Sequence, residues 1–215
     1  MTSTTPRKRR AYAARVPAEQ RRTQVLDAAL HLVVTRGHNA TTMDAVAEQA
    51  GVTKPVVYGQ FRSRNELLAA LLRREQEAAL RQLLAVLPGD PGRLLTEDAP
   101  DFLARMLADF LNAVQETPDR WYCVVMPMAD MPAEFHTARE AARAIALDRA
   151  ESLTRWLLEA IDAPAELDPE IVAHTVTTLF EMAARLVLTD PGRYRPERFV
   201  AAIQAALGLV SGKER

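Results

Sequence analysis

Prolines and glycines cut this 215-residue chain into segments of helical length, and inside each segment apolar residues recur every three or four positions. Such spacing fits the 3.6-residue period of a helix and not the strict alternation of a half-buried strand. Ala and Leu, which enter helices at little cost, dominate, and no segment alternates for long enough to suggest a sheet. The fold expected is all-α, with about nine helices.

The net charge of −1 hides an uneven distribution. Residues 1–75 hold 13 Lys/Arg against 6 Asp/Glu, a net of +7, and the remainder carries −8. A basic front on an acidic back suits a head that meets a polyanion. With one cysteine, Cys123, an intrachain disulfide is impossible and a reducing, cytoplasmic setting is expected. The basic N-terminal cluster is followed by no apolar core of a signal peptide, and no apolar run is expected to span a membrane. His31, His38, His136 and His174 lack ligand spacing, so no metal and no cofactor is expected.

Residues 1–16 read as a flexible basic arm, with Arg7, Lys8, Arg9 and Arg10 in succession. Such an arm suits a DNA minor groove or general phosphate attraction, and equally a solvated tail or a nuclear-import signal. From Pro17 to Arg36, Val25, Ala29, Leu32 and Val33 form one apolar stripe, and Gly37 ends the helix. Thr42 caps a short second helix burying Met43, Val46, Ala47 and Ala50. Gly51 turns the chain, Thr53 is expected to cap a third helix with Pro55 in its first turn, and Ser63 with Glu66 forms a capping box for a fourth helix reaching about Leu87. Two short helices joined by a glycine turn make a helix-turn-helix unit, whose second helix enters the major groove. The exposed face of the third helix is left to Thr53, Lys54, Val56, Tyr58 and Gln60.

Over roughly residues 20–70 the chain resembles the TetR family of bacterial repressors. The likeness rests on Val25-Leu26, Ala28-Ala29, Gly37, Thr42, Val46-Ala47, Ala50-Gly51-Val52, Tyr58, Phe61, Arg64 and Glu66-Leu67-Leu68. Val34 stands where the family often has Phe, and Arg64 where it usually has Lys. The resemblance implies that Thr42, Tyr58 and Arg64 bind phosphates while Lys54, Pro55, Val56 and Gln60 face base edges, with Asp44 at a position some members use for base contact. It implies a repressor that binds a palindromic operator in double-stranded DNA as a homodimer and is released by a small, largely apolar effector. Lys donating to guanine and Gln pairing with adenine agree with this chemically.

Pro88-Gly89-Asp90-Pro91-Gly92 is the clearest break. The domains expected are the arm at 1–16, a DNA-binding module at 17–62, a connecting helix at 63–87, and a ligand-binding and dimerisation body at 93–211. Helices are expected near 96–117, 120–126, 133–162, 168–189 and 196–210. Phe102, Met106, Phe110, Trp121, Tyr122, Met126, Met128, Phe135 and Trp156 are the candidate pocket, because Pro127 and Pro132 interrupt an apolar stretch and should loosen its packing. The same collection also suits a plain core. His136 and Arg139 are candidates to hold a ligand's polar group, and Cys123 is expected to be inert. Two apolar stripes, Ile171, Thr175, Thr178, Leu179 and Met182 on one helix and Phe199, Ile203, Ala206, Leu207 and Val210 on the next, are the candidate dimer interface or else face their own core. An all-helical enzyme or carrier and a constitutive architectural DNA binder are the competing classes, but no Ser-His-Asp set, phosphate loop or metal cluster supports an enzyme.

Overall fold

The structure, a computed structural model, describes residues 17–86, 99–126 and 133–211. It is all-α: among the described residues there are nine helices and no strand. They are α1 (Ala18–Arg36), α2 (Met43–Gln49), α3 (Lys54–Tyr58), α4 (Arg64–Val86), α5 (Ala99–Glu116), α6 (Pro118–Val125), α7 (Ala133–Ala160), α8 (Pro169–Thr189) and α9 (Pro196–Ser211).

Local chemistry accounts for most of the boundaries. Gly37 ends α1 at φ 79°, its N–H returning to Val33 O. Thr42 caps α2 by accepting from Ala45 N at 3.1 Å, and Asp168 caps α8 by accepting from Glu170 N and Ile171 N. Ser63 Oγ accepts from Glu66 N as a capping box requires, but the Glu66 carboxylate takes Arg62 N, one residue outside the expected partner. Thr53 corrects the sequence reading more fully. It holds the extended N-cap backbone, yet its hydroxyl makes no capping bond to α3.

Two apolar cores share α4. Val25, Leu26, Leu32, Val46, Val57 and Phe61 form the head core with Leu67, Leu68, Leu71 and Leu72 from the first half of α4, and with Cys123 from α6. Ala79, further along α4, belongs to the body core with Leu107, Phe110, Leu111, Val114, Trp121, Val125, Ala183, Ala184 and Val187. Within the body α7 packs along α8 and α5 along α9. Although α8 is long and apolar enough to cross a bilayer, against the sequence expectation, it packs here on α5, α6 and α7. Cys123 sits in the head core, where burial, with Glu75 adding to it, pushes its thiol up to about 12. It stays a thiol at neutral pH, as expected of an inert residue.

Between the two cores lies Glu75, with only 2% of its side chain exposed. It pairs with Arg74 Nε at 2.6 Å and with Arg120 Nε of α6 at 3.1 Å. Arg74 also reaches Asp27 of α1 at 2.7 Å, and Arg120 reaches Gln82 Oε1 at 3.1 Å. Removing one member of a buried ionic cluster strands the rest, so Glu75→Ala should lower the unfolding free energy by about 3 kcal/mol in urea titrations. An apolar double exchange, Glu75→Leu with Arg120→Met, should recover most of that loss.

Candidate nucleic-acid interface and effector cavity

The turn between α2 and α3 is fixed from both sides. Gly51 adopts φ 64°, a left-handed conformation that suits glycine, and Val52 N–H returns to Ala47 O at 2.9 Å. Gln24 Nε2 of α1 donates to Ala50 O at 2.7 Å. At the far end of α3, Arg22 lies 4.3 Å over the Phe61 ring and donates to Gln60 O. Arg64 donates from Nε to Thr41 O at 2.9 Å and from Nη2 to His38 O, tying the start of α4 to the α1–α2 loop.

So held, α3 buries Val57 alone and turns the rest of its surface outward. Thr53, Lys54, Pro55 and Tyr58 are exposed, Val56 and Gln60 half-exposed, and Tyr58 shows 46% of its surface. Lys54 Nζ lies 2.7 Å from Asp44 Oδ1 at the first turn of α2 and 6.0 Å from the Tyr58 ring. The Asp44 hydrogen bond is the main reason its pKa is raised. The two side chains are therefore paired across the turn, in full view of solvent.

In the body a cavity of about 650 Å³ opens between α4, α5, α6, α7 and α8, with Leu207 of α9 also on its wall. Leu80 and Leu83 of α4, Phe102, Met106 and Phe110 of α5, Trp121 and Val124 of α6, Leu153 and Leu157 of α7, and Val176 and Phe180 of α8 supply apolar wall. Phe110 meets Trp121 edge-on at 5.1 Å and stacks on Phe180 at 5.5 Å. The charged lining and His136 come from two helices, His136, Arg139, Glu140 and Arg143 of α7 with Glu181 and Arg185 of α8, and α4 adds the amide of Gln76. Arg139 donates to Met126 O and Arg185 to Val125 O, both at 2.9 Å, so the last carbonyls of α6 are held by guanidinium groups. Among the described residues no group of three or more metal-ligating side chains occurs.

Residues 25–71 match the model of the bacterial regulatory proteins of the tetR family. The TetR-like transcriptional regulator of Rhodococcus sp. RHA1 superposes over 92% of this chain and all of its own, with TM-score 0.68 and 29% identity. Over residues 25–71 the chain carries the sequence of a tetR-family regulatory module, and its fold is that of a TetR-like regulator. The HTH-type transcriptional activator FasR of Mycolicibacterium smegmatis is 41% identical over 83 residues, a span covering 37% of this chain and 38% of that protein. FadR of Bacillus subtilis, solved in complex with stearoyl-CoA, shares the fold at TM-score 0.64 over 86% of this chain and 96% of its own, at 13% identity.

The structure leaves Thr42, Asp44, Thr53, Lys54, Pro55 and Tyr58 exposed and Val56 and Gln60 half-exposed, and brings Asp44, Lys54 and Tyr58 together, although Thr42 already caps α2 and Arg64 already spends two nitrogens on backbone carbonyls. Arg9 and Arg10 lie outside the described residues, as does Met128, and the side chain of Phe135 is not described. Of the expected pocket residues, Phe102, Met106, Phe110 and Trp121 line the cavity. Tyr122 and Met126 do not, because α6 presents Trp121, Val124 and Val125, three and four residues apart on one face, to the cavity. Trp156 packs beside Phe102 and Met106, one position off the Leu153–Leu157 stripe. The contributions of α4 and α8 were not foreseen.

The expected dimer stripes divide. Ile171, Thr175, Thr178 and Met182 of α8 are exposed and Leu179 half-buried, but Phe199 and Ile203 of α9 pack into the chain's own core and Leu207 lines the cavity. Ala206 is exposed, and the side chain of Val210 is not described. The outward face of α9 is instead Ala201, Ala202, Ala205 and Ala206.

The Asp44–Lys54 pair generates a sharp expectation. Asp44→Asn should unmask one cation on the exposed α2–α3 surface and, if that surface meets DNA, tighten binding to arbitrary duplex DNA and steepen the plot of log affinity against log salt by roughly one unit. Fluorescence anisotropy at several salt concentrations measures both.

Proposed function

We propose that the protein is a DNA-binding transcriptional repressor, cytoplasmic and homodimeric, that leaves a palindromic operator when a small, largely apolar effector fills the body cavity. The observation carrying this reading is α3: one buried valine anchors it, and its remaining side chains stand clear of the head on a basic front half. Thr42, Tyr58 and Arg64 would meet phosphates; Lys54, Pro55, Val56 and Gln60 would meet base edges, with Asp44 setting the register of Lys54. Arg9 and Arg10 of the arm would add phosphate or minor-groove contact.

Support for the effector comes from a cavity within the ~300–1,000 Å³ usual for ligand sites and from the stearoyl-CoA held by FadR of the same fold. The effector would bind better when the paired recognition helices are out of register with DNA, moving α4 and the head with it; only such a preference can shift the equilibrium. FasR bears the name of an activator, so the sign of regulation is specific to this reading.

Selection of bound duplexes from random DNA should return a palindrome with half-site centres about 34–36 Å apart, one helical turn. Tyr58→Ala should weaken binding to that site at least tenfold, about 1.4 kcal/mol, without changing thermal stability. Unchanged affinity, or selection of no sequence at all, overturns the proposal.

The dimer would form through the exposed faces of α8 and α9, where Ile171 shows 63% and Met182 43% of their surfaces and the alanines of α9 allow close approach. Ile171→Glu with Met182→Glu should give a monomer by light scattering and weaken operator binding by more than an order of magnitude, because each half-site then binds alone.

A further inference from the structure

The side-chain atoms that are both buried at the cavity wall and without a hydrogen-bond partner are donors, while the lining carboxylate of Glu140 is exposed to solvent. Gln76 Nε2 and Trp121 Nε1 are buried without a hydrogen-bond partner, on residues that are 7% and 4% exposed and line the cavity from α4 and α6. Both are donors. Arg139 lines the same cavity half-buried, and among the described residues its hydrogen bond is to Met126 O and no carboxylate is in ion-pair range. Its neighbours are poorly placed to neutralise it. Glu181 is already shared between Arg143 Nε at 2.8 Å and Arg185 Nη2 at 3.4 Å, and Glu140 is exposed on Arg139's own helix. Burial lowers the Arg139 pKa, and the Arg185 charge lowers it further.

A buried donor or cation without a partner is retained at a cost that a bound acceptor removes. A ligand suited to these walls is apolar over most of its length, rich in acceptor oxygen and negative at one end. An apolar ligand without an anion would leave the guanidinium uncompensated, and an amine would add a fourth cation beside Arg139, Arg143 and Arg185.

We propose that the cavity receives an aliphatic acyl chain carrying an anionic head, with the anion on Arg139 and the donors of Gln76 and Trp121 open to the ligand's oxygens. The inference rests on the effector reading above and narrows it to one chemical class. A free fatty acid and its coenzyme A thioester share that chemistry. The charge would be read at the end of α6, where Arg139 and Arg185 hold the last carbonyls.

The test uses the full chain and four probes: hexadecanoate, hexadecanoyl-coenzyme A, 1-hexadecanol and hexadecylamine. Thermal shift and the fluorescence of Trp121 and Trp156, the two tryptophans, report binding. At least one acidic probe should bind tenfold or more tightly than the alcohol and the amine, and which of the two acidic probes does so identifies the source. Arg139→Gln should abolish that preference while leaving the alcohol unchanged, and Arg139→Lys should keep most of it. Gln76→Met should raise the melting temperature of the ligand-free protein, since it deletes an unpartnered donor, yet weaken the acidic probe. Equal binding of acid, alcohol and amine overturns the inference, as does an acid preference that survives Arg139→Gln. Failure of all four probes overturns it too, and operator binding by the same preparation then leaves the DNA half of the proposed function standing.

Discussion

A carboxylate withdrawn from water is costly unless cations come to meet it, and Glu75 is met by two from different directions. Arg74 approaches from the preceding residue and carries Asp27 of α1 on its other side. Arg120 approaches from α6 and carries Gln82. Apolar packing alone would hold α1, α4 and α6 together while tolerating small rotations of one against another. An ionic cluster with fixed partners does not tolerate them, because each shift leaves a buried charge unpaired. Glu75 occupies the point on α4 where the leucines of the head core give way to the residues of the body core. The angle between the two halves of the molecule is therefore set by polar contacts lying between two apolar cores.

The cavity has an equally plain origin. On the α7 face that meets α4, α5 and α8, Ala142, Ala146 and Ala150 recur every four residues, flanked by Arg139 and Arg143. Alanines are too small to fill the gap between helices spaced by leucines and aromatics, and arginines carry their charge to the edge of it. Close packing elsewhere in the body, with Phe110 in contact with both Trp121 and Phe180, leaves the void where the small residues are.

This explains what was legible beforehand. The head is built from local signals: an N-cap at Thr42, a left-handed Gly37, a turn at Gly51 and stripes three and four residues apart. Each acts within a few residues of itself, so reading along the chain recovers nearly every boundary. The body depends on which helix meets which. Periodicity identifies the apolar face of α9 but not its partner, and Phe199 and Ile203 turned out to face inward. Large aromatics drew attention to α5 and α6, whereas the space itself is marked by alanines, a negative signal in a chain where alanine is everywhere. Glu75 and Gln76, adjacent polar residues on an amphipathic helix, give no sign in the sequence that both are buried. Asp44 and Lys54 each stand out in the sequence, but their pairing depends on the α2–α3 turn, which brings residues ten apart within 2.7 Å.

The shortness of α6 ties these parts together. Trp121 lines the cavity and Cys123, two residues on, is packed in the head core, while Arg120 joins the Glu75 cluster. In a longer helix such contacts would sit turns apart, and bending between them would absorb a displacement at one end. Eight residues span about 12 Å at 1.5 Å per residue and have no room to bend. A side chain moved at the cavity wall must move the helix as a body, and close-packed interiors pass such movements on rather than absorb them. The arginines holding its C-terminal carbonyls and the carboxylate holding Arg120 at its first turn then act on one rigid object from opposite ends. On the proposed effector reading, a charge bound at Arg139 would act on α6 at the end opposite the Glu75 cluster that joins it to α4.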